Sequence, residues 1–80
     1  MDASKVKAVE SAAKKMDRAL KLLEQARDEL NRVGAYEDDD LFNATSNLTD
    51  AAAATSTAFT STHMAAFVWK QAARYPEARS

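Results

Sequence analysis

The chain has no cysteine, one glycine and one proline in eighty residues. Without cysteine there are no disulfides and no thiolate metal sites. Sheets and tight turns consume glycine and proline, so their scarcity points to few turns and long helices. Bulky apolar residues are also few. There are six leucines, three Phe, three Met, four Val and one Trp, and much of the 46% hydrophobic content is alanine. A domain this short buries only about 60% of its unfolded surface. A core rich in Ala therefore leaves the isolated chain marginal, and a partner surface is the remaining route to stability.

Catalytic and cofactor signatures are missing as well. A single histidine, His63, leaves no His pair for a metal, and no acid lies within a turn of it in sequence. There is no Gly-rich phosphate loop. The acidic run Glu37–Asp40 lacks the spaced Asp/Asn–Gly pattern of a calcium loop. No carboxylates are expected to face inward for acid–base work. The expectation is a protein that is not an enzyme and holds no cofactor or metal. The net charge of −1 supplies no global attraction to nucleic acid or anionic membranes.

Residues 51–69 carry no Asp, Glu, Lys or Arg, which is long enough to cross a bilayer. Seven of them, Thr55, Ser56, Thr57, Thr60, Ser61, Thr62 and His63, are polar. A membrane span needs a predominantly apolar run of about 20 residues, so no membrane insertion is expected. The first residues lack an apolar segment of signal-peptide type, and the expected location is cytoplasmic.

What is present is a seven-residue repeat in two segments. Val6, Ala13, Leu20 and Arg27 share one position, and Val9, Met16, Leu23 and Leu30 the position three later. Steps of three and four place both sets on one stripe of a helix, expected over about 4–33 with Asp2 or Ser4 as cap. Gly34 follows the last periodic residue and stops the helix. The bend is expected at 34–40, where acids suit the start of a second helix. That helix, about 41–75, repeats Leu41, Leu48, Thr55, Thr62 and Trp69 with Ala44, Ala51, Ala58, Ala65 and Ala72. Pro76 ends it, leaving a tail over 76–80.

The expected fold is thus all-α, an antiparallel two-helix hairpin in a single domain. The alanine row forms a close-packing seam. Val6 would pair with Trp69, Met16 with Ala58 and Val33 with Leu41, mostly setting a larger side chain against a smaller one. Arg27 would lay its stem over the seam and send its head to water or Asp28. The Ser/Thr-rich stretch 55–63 is the weak point, because Ser and Thr are mediocre helix formers. A break there would give three helices.

The seam leaves Phe42, Phe59, Met64 and Phe67 unused, and these together with Trp69 are the candidate contacts with a partner or a second copy. A helix apolar nearly all round is normally buried on several sides. A homodimeric four-helix bundle is the simplest solution. Charge is uneven along the chain. Residues 1–21 carry six basic and three acidic groups (+3), residues 22–50 two and eight (−6), and residues 51–80 three and one (+2). Lys7, Lys14, Lys15, Arg18 and Lys21 form a possible charged contact face.

The leading functional expectation is a small protein-interaction module such as an adaptor, a chaperone, or an inhibitor or regulator of a larger protein. A nucleic-acid-binding bundle using the basic first helix is an alternative, disfavoured by the acidic bend and by the lack of aromatics beside the lysines. A structural subunit of a larger helical assembly is another. No family motif is found. The bend Val33-Gly34-Ala35-Tyr36 lacks the Trp-x-Gly turn of secreted hairpins of the WXG type.

Overall fold

The computed structural model describes residues 3–74, and the side chains of residues 4–72. Helix α1 spans Ala3–Arg32, a short 3-10 turn spans Ala35–Glu37, and α2 spans Asp39–Arg74. The two helices pack along their length as an antiparallel hairpin, giving a rod of 60 × 18 × 14 Å. No strand occurs among the described residues.

The stop of α1 follows from local chemistry. Gly34 adopts φ 80 and ψ 43, the left-handed conformation that a side chain resists. Its N–H donates to the Asn31 carbonyl at 3.2 Å, and Val33 N–H to that of Leu30 at 3.2 Å. These bonds satisfy carbonyls that the helix leaves without partners. The 3-10 turn then folds back, mainly onto α2, and Ala35 becomes the most buried residue at 1% exposure. At the start of α2, the Asp38 carboxylate accepts a hydrogen bond from Leu41 N–H at 3.0 Å. Asp38 has extended backbone (φ −130, ψ 125), as an N-cap should. Asp39 and Asp40 occupy the first turn, where negative charge is favoured.

α2 runs unbroken through 55–63. Its threonines are accommodated within the helix. The hydroxyls of Thr45, Thr49, Thr57 and Thr60 each donate to the carbonyl four residues earlier, at 2.9–3.1 Å. The hydroxyl that would compete with helical structure is spent within the helix itself.

The seam is wider than the repeat implied. Val6, Ala13, Ala52 and Ala66 are buried, and Leu41, Leu48, Thr55, Thr62 and Trp69 are all half-buried. Ala44, Ala51, Ala65 and Ala72 are half-buried beside them. Ala58 is a correction, because it is exposed while Phe59, one residue on, is half-buried. The larger ring takes the inward place, so the Met16–Ala58 pairing does not form the seam. Val33 is a second correction. It is 72% exposed, because α1 ends at Arg32 and the chain is already turning. Ser4 lies inside α1 rather than capping it. The expected Asp2 cap, the Pro76 stop and the 76–80 tail lie outside the described residues. Arg27 is half-buried in the seam, and its guanidinium reaches Asp28 at 3.3 Å.

Candidate functional site

Two features of the hairpin face outward with some chemistry. The first is the exposed surface of α2 outside its seam with α1. Phe42, Met64, Phe67 and Val68 are 54–57% exposed there, in a helix free of charged side chains from Ala51 to Trp69. Of the five expected contact residues, Phe42, Met64 and Phe67 are open to an outside partner. Phe59 and Trp69 are half-buried within the hairpin. Leu22, on the outer side of α1, is a separate exposed apolar residue at 58%.

The second feature is a groove of about 350 Å³ between the helices toward the open end of the hairpin. Ala13, Phe59, Ala66 and Phe67 supply its apolar surface. Glu10, Lys14, Asp17, His63 and Lys70 rim it. Glu10 and Lys70 close one end with an ion pair of 2.7 Å across the seam. The bonded Lys70 ammonium holds the Glu10 carboxyl below its ordinary value of 4.5 against partial desolvation, with Lys14 and His63 adding to the effect. His63 stacks on Phe59, with ring centroids 5.7 Å apart and planes 23° from parallel. This spacing is one helical turn, so the pair sits on one face.

The groove revises two expectations. Glu10 and Asp17 do line an inward-facing surface, and His63 has an acid near it, supplied by α1 rather than by its own helix. Neither carboxylate stands alone, since Glu10 is bound to Lys70 and Asp17 to Lys21 at 3.1 Å. The lining holds no hydroxyl or thiol. Its arrangement suits an apolar side chain entering between charged rims.

The basic face is present on α1. Lys7, Lys14, Lys15, Arg18 and Lys21 are all exposed, with Lys14 at the groove and Lys21 tied to Asp17. No group of three or more potential metal ligands occurs among the described residues. Among them, no helix is long and apolar enough to cross a membrane. No family model matches the chain, and no curated protein or solved structure matches it significantly.

Proposed function

We propose that the protein is a small non-enzymatic interaction module that works through the outward face of α2. One observation carries this reading: Phe42, Met64 and Phe67 stand more than half exposed on a helix that the hairpin covers on one side only, Met64 and Phe67 within its charge-free stretch from Ala51 to Trp69. Fully burying a wholly exposed side chain of this kind is worth about 1.5–3 kcal/mol; with roughly half of that left to gain at each of the three, a protein surface laid on this face would still gain several anchors. The threonine hydroxyls on α2 strengthen the reading. Bonded to their own helix, they lose little on desolvation. The partner is a second copy, a larger protein in the manner of an adaptor, chaperone or inhibitor, or both in turn.

The test is photocrosslinking in the cells that make the protein, with a benzoyl-phenylalanine at Phe67 and, as control, at Ser11 on the exposed side of α1. The reading expects discrete protein adducts from position 67 and none from 11. Adducts from neither position, or equally from both, would overturn it.

A further inference from the structure

Two places on α2 fit each other when a second molecule is turned end for end. Leu41, Leu48, Thr55, Thr62 and Trp69 are all half-buried at the seam, so the seven-residue period holds along the whole helix. Residues one position later therefore keep one angle to the seam from end to end. Phe42 and His63 are two of these, so the exposed Phe42 ring stands on the same side of the rod as the groove. Phe42 and His63 lie at equal sequence distances from the junction of Ala52 and Ala53. A twofold axis through that junction would set each Phe42 over the partner's groove.

We propose that a second copy of the chain docks antiparallel on this side of α2, with Phe42 of each molecule in the Phe59–His63–Phe67 groove of the other. The inference rests on the interaction-module reading and names the occupant. Three observations select it. The middle of the contact, Ser46, Thr49, Ala53, Ser56 and Thr60, is made of small residues, and the hydroxyls of Thr49 and Thr60 are already bonded to their own backbone. Two α2 helices can approach closely there, with the Thr49 and Thr60 hydroxyls already satisfied and those of Ser46 and Ser56 left to bond across the contact. The groove at each end is apolar within and holds about 350 Å³, room for an aromatic ring.

Charge fixes the direction. Residues 22–50, at and around the bend, carry two basic and eight acidic groups, while residues 4–21 and 51–72 together carry seven basic and two acidic. The rod is −6 at one end and +5 at the other. Asp38, Asp39 and Asp40 precede Phe42; at the groove rim Glu10 and Asp17 are already paired with Lys70 and Lys21, which leaves Lys14 and His63 to face them. The antiparallel arrangement lays the acidic bend over the basic open end, whereas a parallel one stacks like charge on like. The interface is isologous and closes on itself.

The absence of natural cysteine makes the test direct. Full-length Ala53→Cys and Phe42→Cys are oxidised separately, and an equimolar mixture of Phe42→Cys with His63→Cys is oxidised alongside. Position 53 meets its own copy near the axis, so Ala53→Cys should form a disulfide-linked dimer. The two Phe42 positions lie about 32 Å apart along the axis at 1.5 Å per residue, far beyond disulfide reach. Phe42→Cys alone should stay unlinked, and the mixture should give the mixed dimer. Phe42→Ala, which leaves the hairpin interior untouched, should keep its helical circular dichroism and weaken self-association at least tenfold. Crosslinking of Phe42→Cys to itself would show a parallel dimer and overturn the proposal. A wild-type monomer, or a dimer in which neither Ala53→Cys nor the mixture crosslinks, would overturn it too. In that case foreign adducts from Phe67 would leave the interaction-module reading standing, and no adducts would remove both.

Discussion

Glu10 Oε2 and Lys70 Nζ meet at 2.7 Å, joining α1 to α2 near the open end of the hairpin. Among the described residues, no other ion pair joins the two helices. The carboxyl of Glu10 is depressed in the folded chain, chiefly by its bond to Lys70. A group lowered on folding stabilises the fold above its unfolded value, here about pH 4.5, and that contribution is lost as pH falls through the depressed value. Glu10→Gln removes the titration. Thermal melts from pH 7 to pH 3 should show wild type losing more stability than Glu10→Gln on the acid side. Parallel pH curves for the two proteins would contradict the linkage.

The cap of α2 rests on one side chain. Asp38→Ala removes the carboxylate that accepts from Leu41 N–H, and should cost about 1 kcal/mol in urea unfolding. Asp38→Ser keeps an acceptor and should recover most of it. Equal losses in the two variants would mean that the charge, not the cap, matters.

Gly34 has open space around it, with Glu37 Oε2 the nearest atom to an added Cβ at 3.8 Å. Its need for glycine is therefore conformational. Gly34→Ala should destabilise by about 1–2 kcal/mol, the cost of a side chain at positive φ, without a change in helical signal. An unaltered urea midpoint would show that the bend can settle elsewhere.

The alanines of α2 divide sharply by one residue of register. Ala66 is 5% exposed and faces α1, so Ala66→Leu should overpack the seam at about 1–3 kcal/mol. Ala58 is exposed, and Ala58→Leu should stay within about 0.5 kcal/mol of wild type. Chemical denaturation of the two variants side by side decides this. A large loss from Ala58→Leu would return that residue to the seam.

This division also marks how far the sequence could be read. The period of seven placed Leu41, Leu48, Thr55, Thr62 and Trp69 on the inner side of α2, and the glycine after a periodic run marked the end of α1. Those signals are local and repeat many times. At 58 and 59 the repeat offered an alanine in register and a phenylalanine one residue later, and packing against α1 chose the larger ring. The burial of Ala35 depends on a 3-10 turn folding back onto α2, which periodicity does not encode. α2 continues through its threonines, with the Thr57 and Thr60 hydroxyls bonded to the preceding turn, where propensity alone suggested a weak point. The groove was hidden for a similar reason. Glu10, Phe59 and His63 come together only when the register across the hairpin is known.

Completion of α2 by a protein laid on its outward side, first of all a second copy, is decided by mass in solution. Sedimentation equilibrium over a wide concentration range tests it most directly, comparing wild type with Phe67→Glu, which places a charge among the exposed apolar residues. Wild type should form a reversible dimer, weakened by added salt because acidic and basic ends meet, and Phe67→Glu should be a folded monomer. A wild-type chain that stays monomeric and cooperatively folded at the highest concentration, indistinguishable from Phe67→Glu, would contradict it.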